Sequence, residues 1–247
     1  SKLKFIRCED ALNLGEARNN AFNASSGNYV VFLDDDDIML PNKIELCINA
    51  LIMDSNIGMI YSNVYVHYQN INRSYLEHSQ KMPEGDMFDL LIKGNFILWQ
   101  STFFKREALM YDIKPFPSKF NNITDYSLYL KIAKNWKIKY IDEPLSIYML
   151  HGNNYSINNN QAFEELIMLA NEDEFSNEEK VHLKNYANNK KISKSLEMND
   201  RKKLLSQIVL LKSTKTKFRL FAAFFLSYII DIKTLRLLLI KMKKNKY

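Results

Sequence analysis

Residues 29–37, YVVFLDDDD, join an unbroken apolar run to four consecutive aspartates. An apolar run of strand length, without polar alternation, is typical of a strand that is buried on both faces of a parallel sheet. Open α/β sheets bind their ligands at the carboxyl ends of such strands, where these aspartates would lie. The segment therefore predicts an α/β fold with a binding site at the aspartates.

The sequence around this segment alternates between helix and strand patterns. Residues 14–24 predict a helix that ends at Ser25-Ser26-Gly27, and Pro41 opens an amphipathic helix. Strands are predicted at residues 4–7, 59–66, 96–104 and 137–141, and helices at residues 86–93 and 125–134, with a break at Pro144. The expected architecture is a mostly parallel sheet flanked by helices.

The residues after the Asn-rich stretch 153–160 lack a strand pattern. Ser176 and Glu179 make a capping box, which is a local signature of a helix start, and the remaining chain predicts successive helices. We therefore predict an α/β domain over residues 1–160, followed by an all-helical region over residues 161–247.

The composition excludes a disordered chain and a disulfide-stabilised one. Hydrophobic residues make up 47% and aromatic residues 13% of the chain, far from the polar signature of disorder. The two cysteines, Cys8 and Cys47, are too few and too far apart for a disulfide framework or a zinc ribbon, and we expect both in the core. Their scarcity favours a reducing compartment.

Charge is divided unevenly along the chain. Residues 201–247 hold 13 basic residues and one acidic residue, a net charge of +12, whereas the 21 basic and 27 acidic residues before them give −6. The apolar run 220–230 in this tail is shorter than the roughly 20 residues that span a bilayer. We expect the tail to lie as amphipathic helices on an anionic membrane surface, with the protein cytoplasmic and peripheral at the inner face of the cell membrane.

The alternative for the basic tail is a helical hairpin that packs on the body and leaves a basic rim in solvent. Nucleic acid is not expected as a partner, because the apolar content is high and no recognition motif accompanies the charge.

The aspartates themselves point to a cation. Four adjacent carboxylates repel one another unless a positive charge compensates them, so a divalent ion is a natural partner. Oxygen ligands in small number suit Mg²⁺ or Mn²⁺ that is shared with a substrate phosphate. The alternative is a solvated acidic turn that caps the helix at Pro41.

Three segments form a combined pattern: residues 13–19 (NLGEARN), residues 27–37 (GNYVVFLDDDD) and Pro41. Together they closely resemble the central signature of family 2 glycosyltransferases, which have the GT-A fold. In that family the acidic motif binds the metal that bridges the two phosphates of a nucleotide-diphosphate sugar donor, and the arginine of the first segment lies near those phosphates.

This resemblance implies a role for each polar residue of the pattern. Asp36 is the expected metal ligand, and Asp34 and Asp35 support the metal or the ribose of the donor. Arg18 is the expected contact to the donor diphosphate. The alternative for Arg18 is an ordinary exposed position on its helix.

Residues 124–130, TDYSLYL, resemble the family's Glu-Asp-Tyr-x-Leu-x-Leu segment, whose Asp is the catalytic base. The resemblance implies that Asp125 removes the proton of the acceptor hydroxyl as that hydroxyl attacks the anomeric carbon with inversion. Thr124 departs from the family pattern, which usually has Glu there. The alternative is that Asp125 only caps the helix that it begins.

Residues 140–145 (YIDEPL) and 148–156 (YMLHGNNYS) match the closing pattern of the family, in which a His follows the last strand. The resemblance implies that His151 approaches the metal or the diphosphate, whereas the alternative is a structural or exposed His. Trp99 and Gln100 lie where related enzymes shape the acceptor pocket. Trp99 is expected either to stack on a sugar ring or to belong to the core.

The resemblance covers residues 4–156 and begins in the middle of the family's domain. The strands that hold the nucleotide base in the family are not matched, so we expect either part of a longer polypeptide or a reduced relative. Exposed edges of the expected sheet would invite pairing with another copy, which makes a homo-oligomer one expected state.

The functional hypothesis from the sequence is an inverting glycosyltransferase that uses a nucleotide-diphosphate sugar and Mg²⁺ or Mn²⁺. Its acceptor would be a glycan or a lipid-linked glycan in the synthesis of a cell-surface polysaccharide. The rival hypothesis is a non-catalytic remnant of such an enzyme that acts as a membrane-docked binding or scaffold module.

Overall fold

The computed structural model describes residues 3–7, 12–152, 154 and 161–197. The chain divides into two compact units, residues 1–159 and residues 160–247. The first unit holds a six-stranded sheet, and the described part of the second unit is helical.

The sheet of the first unit is mixed. Its strands are β1 (Tyr29–Val30), β2 (Ile38–Met39), β3 (Ile57–Tyr68), β4 (Arg73–Leu76), β5 (Phe103–Lys105) and β6 (Lys137–Leu150). They run in the order β1-β5-β3-β6-β2, with β4 beside the second half of β3. The long ladder between β3 and β6 is parallel, whereas the other four strand pairs are antiparallel.

Helices flank this sheet, as the alternating pattern predicted. In the described part of the unit they are α1 (Leu14–Ala24), α2 (Lys43–Met53), α3 (Phe88–Leu91), α4 (Arg106–Leu109) and α5 (Thr124–Asn135), with two 3-10 turns at Gln69–Ile71 and Trp99–Ser101. The α/β prediction is confirmed, but the sheet is mixed rather than mostly parallel. A parallel pair needs a long crossover connection, which joins β3 to β6, whereas only a 3-10 turn separates β3 from β4.

The apolar run before the aspartates is not the doubly buried parallel strand that the sequence predicts. Only Tyr29 and Val30 belong to the sheet, where β1 is an edge strand antiparallel to β5. Leu33, at the end of the run, is 52% exposed. The run therefore leaves the sheet before the aspartates begin, and β2 joins the opposite edge after them.

The predicted helices on either side of the aspartates are close to those of the structure. Helix α1 has the predicted bounds, and Asn13 and Glu16 close a capping box at its start. Helix α2 buries Cys47 and Leu51 in a core cluster between the helix and the sheet, although Ile44 on the same predicted face is 44% exposed. The prediction that Cys47 belongs to the core is confirmed, while Cys8 lies outside the described residues.

Strand predictions were less accurate. Residues 4–7 form no strand, and the predicted strand 96–104 is divided between the 3-10 turn at Trp99–Ser101 and the start of β5. Pro144 does not end β6, because the register against β3 shifts at this point and the strand continues to Leu150. A bulge of this kind accommodates a residue that has no N–H to donate.

The described part of the second unit contains α6 (Ala162–Ala170) and α7 (Asn177–Glu197). The predicted capping box precedes α7: the Ser176 amide donates to Glu179 Oε2 at 2.6 Å, and the Glu179 amide donates to Ser176 Oγ at 3.3 Å. Within the described ranges, no helix combines the length and the apolar character needed to cross a membrane. The basic tail, residues 201–247, lies outside the described residues.

Candidate active site

The four aspartates occupy a tight turn between the apolar run and β2. The Asp37 amide donates to the Asp34 carbonyl at 3.2 Å, which closes the turn. Asp35 and Asp36 are exposed, Asp34 is partly buried, and Asp37 is buried. The adjacent carboxylates therefore occupy different environments, and only some of them can meet a ligand directly.

Arg18 connects this turn to two other elements. From the buried face of α1, its guanidinium lies 3.6 Å from Asp34 Oδ1 and donates a 2.9 Å hydrogen bond to Thr124 Oγ1 at the start of α5. The side chain is only 8% exposed. Arg18 is thus not an ordinary surface residue of its helix.

An aromatic cluster supports the guanidinium of Arg18. The guanidinium carbon lies 3.9 Å from the centre of the Trp99 ring, within the range of a cation–π interaction. The same ring packs against Phe32 and stacks on Tyr129, with centroid distances of 5.2 Å and 6.4 Å. Trp99 is 6% exposed, so it belongs to the core, and any effect on an acceptor sugar would be indirect.

Burial and charge oppose each other in the pair of Arg18 and Asp34. Burial lowers the pKa of Arg18, while the charges of Asp34 and Asp125 raise it. Burial raises the pKa of Asp34, and the neighbouring guanidinium of Arg18 lowers it. Each group thus compensates a charge that would otherwise be costly to remove from water.

Asp125 lies in the first turn of α5, one residue after the Thr124 hydroxyl that binds Arg18. The helix cap is Ile123, so the alternative reading of Asp125 as the cap of this helix is not what the structure shows. A carboxylate in the first turn is favourable because the helix dipole is positive there. The guanidinium of Arg18 is therefore close to acidic groups from both the turn and α5.

Asp36 faces the end of β6 instead. Its Oδ2 lies 3.0 Å from His151 Nε2 and accepts a 3.3 Å hydrogen bond from Asn154 Nδ2. Both side chains of the Asp36–His151 contact reach solvent, since Asp36 is 36% and His151 is 25% exposed. The sequence predicted Asp34, Asp36 and His151 as metal ligands. The structure brings Asp36 and His151 into contact, whereas Asp34 pairs with Arg18.

The described residues contain no group of three or more His, Cys, Asp or Glu side chains that converge on one point as metal ligands. Mg²⁺ is commonly held by one or two carboxylates together with substrate phosphates and water. The exposed carboxylate of Asp36, with His151 Nε2 3.0 Å away, fits a site that shares its cation with a substrate phosphate and does not fit a closed protein cage.

Asp37 anchors the turn to the same strand. Its Oδ1 accepts a 2.9 Å hydrogen bond from the Met149 amide, two residues before His151. Burial raises the pKa of Asp37 to about 6, against the effect of the Met149 amide and the Gln100 side chain. Asp37 thus positions the exposed end of the turn beside His151.

Comparison with known proteins relates part of the chain to one protein family. Residues 1–115 match the family described as glycosyl transferase family 2. The match relates the first unit of the chain to this family. The matched range contains the aspartate turn, Arg18 and Trp99.

Two proteins similar to this chain are named as a glucosyltransferase and as a chondroitin synthase. The chain is 31% identical over 142 residues to the Escherichia coli UDP-Glc:alpha-D-GlcNAc-diphosphoundecaprenol beta-1,3-glucosyltransferase WfgD, covering 58% of this chain and 53% of the relative. It is 26% identical to the Pasteurella multocida chondroitin synthase, covering 59% of this chain and 15% of that enzyme. The chain therefore spans about half or less of the length of these relatives.

A solved structure shares the fold of this chain. The crystal structure of Staphylococcus aureus TarS residues 1–349 in complex with UDP-GlcNAc superposes with a TM-score of 0.53 at 13% identity, covering 79% of this chain and 60% of that one. At this identity the likeness shows the fold, and it confirms the prediction of a GT-A-like architecture.

Sequence reasoning missed two polar residues near the acidic turn. Thr124 was noted only as a departure from the family pattern, yet its hydroxyl is the acceptor for Arg18. Lys43 was not singled out, although it is 1% exposed and donates to the Gln100 carbonyl and to Ser146 Oγ. Its position one turn before the buried Cys47 was the signal that could have predicted its burial.

Proposed function

We propose that this chain is the catalytic portion of an inverting glycosyltransferase that moves a sugar from a nucleotide-diphosphate donor to a hydroxyl acceptor. The observation that carries the proposal is the position of Arg18 between Asp34 of the acidic turn and the start of α5, where Asp125 lies. The buried cation thereby contacts a donor-side carboxylate and is close enough to the candidate base for their charges to interact.

The relatives support the class of reaction and of substrate. WfgD is named for transfer from UDP-Glc to a diphosphoundecaprenol-linked sugar, and TarS was solved with UDP-GlcNAc. We extend from these proteins to a nucleotide-diphosphate sugar donor and a glycan or lipid-linked acceptor in polysaccharide synthesis.

Asp125 is the proposed base. As the acceptor oxygen bonds to the anomeric carbon on one face, the bond from that carbon to the diphosphate oxygen breaks on the other, so the configuration inverts. The acceptor proton passes to the Asp125 carboxylate, and the leaving group departs as a nucleotide diphosphate. Arg18 stays in place during this step because its guanidinium is buried and held by Thr124 and Trp99.

Asp36 and His151 are the residues that would hold a divalent cation, with Asp34 nearby in the same turn. Bound Mg²⁺ or Mn²⁺ would supply positive charge for the departing diphosphate. Asp35 is exposed at the tip of the turn, where it is available to the donor ribose, and the direct contact of Arg18 with the diphosphate stays a prediction.

The proposed setting is the cytoplasmic face of the cell membrane. The net charge of +12 on residues 201–247 supports attraction to anionic lipid, because basic residues near such a surface contribute about 1 kcal/mol each. Co-sedimentation of the chain with anionic and with neutral vesicles, at low and at high salt, tests this setting. Equal binding to both kinds of vesicle would contradict it.

Calorimetric titration of Mn²⁺ and UDP into the chain tests the donor site. We expect binding in the wild type that Asp36→Ala abolishes, because this substitution removes an exposed carboxylate and its contact with His151. Asp89→Ala is the matched control, since it removes an exposed carboxylate from α3. Binding that survives Asp36→Ala as well as it survives Asp89→Ala would refute the assignment.

A further inference from the structure

A buried lysine lies beneath the acidic turn, where the proposed reaction does not use it. Lys43, the first residue of α2, is 1% exposed. Fully buried lysines are rare unless their charge is satisfied by specific partners. The partners of this one identify what it holds together.

Lys43 Nζ donates hydrogen bonds to two elements beside the acidic turn, the 3-10 turn at Trp99–Ser101 and strand β6. We call these two elements the walls of the acidic turn. One hydrogen bond, of 2.5 Å, reaches the Gln100 carbonyl in the 3-10 turn. The other, of 3.0 Å, reaches Ser146 Oγ in β6, and this hydroxyl donates in turn to the Gln100 carbonyl at 2.6 Å. The ammonium group thus joins α2, the 3-10 turn and β6 at one point.

Each wall leads directly to a residue of the candidate site. The 3-10 turn contains Trp99, whose ring supports the guanidinium of Arg18. Strand β6 continues from Ser146 to Met149, whose amide binds Asp37, and then to His151 beside Asp36. The lysine itself lies outside the acidic turn and acts on it through these neighbours and through its attraction to the charge of Asp37.

We propose that Lys43 is a positioning residue that holds the acidic turn between its two walls, the 3-10 turn that contains Trp99 and strand β6. In this position Lys43 fixes the separation of Asp34 from Asp36 and His151. The expectation that the acidic turn binds a metal with a nucleotide rests on the proposed function. The hydrogen bonds of Lys43 do not depend on it. Residues that orient ligating side chains from behind typically change metal affinity by about 10- to 100-fold when they are removed.

Lys43→Met tests this role in the whole chain. Methionine keeps the length and the apolar stem of lysine but donates no hydrogen bond, so α2 loses its tie to both walls. We expect amide hydrogen exchange at the Met149 N–H to accelerate by at least about tenfold, because the hydrogen bond to Asp37 would open locally. The affinity for Mn²⁺ in the presence of UDP should fall by at least about tenfold.

Two further variants separate positioning from general loosening. Leu51→Ala opens a cavity two turns further along α2 without touching the ammonium, so it should leave exchange at Met149 within about threefold of the wild type after correction for global stability. Ser146→Ala should have a smaller effect than Lys43→Met, because Lys43 still donates to the Gln100 carbonyl.

The outcomes decide between the possibilities. If Lys43→Met changes Met149 exchange and Mn²⁺ affinity no more than Leu51→Ala does, the positioning role is wrong. If Ser146→Ala has the larger effect, the hydroxyl and not the ammonium holds the walls. If wild type binds no Mn²⁺ with UDP, the proposed donor site fails, while the exchange measurement still decides the role of Lys43.

Discussion

The two sides of the acidic turn differ in exposure and in the way their charges are satisfied. On one side, Arg18 is buried against Trp99 and is bonded to Asp34 and Thr124. On the other side, Asp36 and His151 meet at 3.0 Å with both side chains partly in solvent. The buried side is suited to hold the architecture of the site, and the open side is suited to exchange its partners for a ligand.

The largest effect on stability should come from the buried side. Arg18→Met leaves Asp34 without its cation and removes the guanidinium from the Trp99 ring, which we expect to lower the free energy of unfolding by about 3 kcal/mol. Arg106→Met is the matched control, because Arg106 lies over the Phe22 ring at 4.6 Å in a more exposed position. Its cost should stay below about 1 kcal/mol.

Urea unfolding of the two arginine variants measures this difference. Equal losses for Arg18→Met and Arg106→Met would contradict the view that the Arg18 side is the structural one.

Asp125→Asn should cause the largest effect on turnover. The amide keeps the size of the carboxylate but cannot accept a proton, so turnover should fall at least about a hundredfold while affinity for the donor changes little. Steady-state kinetics with the enzyme's own donor and acceptor measure this split. If the variant keeps most of its turnover, Asp125 is not the base and is only a residue of the first turn of α5.

The burial of Lys43 predicts that the free energy of unfolding depends on pH. Burial lowers the pKa of Lys43 from its usual 10.5 to about 8, so between these values the unfolded chain binds a proton that the folded chain has lost. The free energy of unfolding of wild type should therefore rise with pH relative to Lys43→Met, by about 2 kcal/mol from pH 8 to pH 10. Below pH 8 the difference should be constant.

Denaturant unfolding of wild type and Lys43→Met at a series of pH values checks this sign. A wild type that loses stability relative to the variant above pH 8 would show that the ammonium is not desolvated as the structure indicates.

The smallest effect on stability is expected on the open side. His151→Ala removes a partly exposed imidazole, so the free energy of unfolding should change by less than about 0.5 kcal/mol. The affinity for Mn²⁺ with UDP should nevertheless fall about tenfold if this imidazole is a ligand. His67→Ala is a suitable control, because His67 contacts Ser74 in the β3–β4 hairpin and not the turn. A loss of stability without a loss of affinity would make His151 structural.

Local signals in the sequence predicted several parts of the molecule. The capping box of Ser176 and Glu179 predicted the start of α7, because its hydrogen bonds form between residues three apart. The acidic segment and the downstream motifs predicted the family and its fold. The bounds of strands were harder, because Pro144 is accommodated by a register shift that depends on the partner strand.

The sequence by itself predicted helices α1, α2, α5 and α7, the acidic segment and the resemblance to the family, since each is encoded by neighbouring residues or by a motif of fixed spacing. Only the tertiary structure decided that β1 is an edge strand, that Arg18 and Lys43 are buried, and that Trp99 supports a cation in the core. The physical reason is that burial of a charge depends on partners brought from distant segments. Thr124 for Arg18, and Ser146 for Lys43, are such partners.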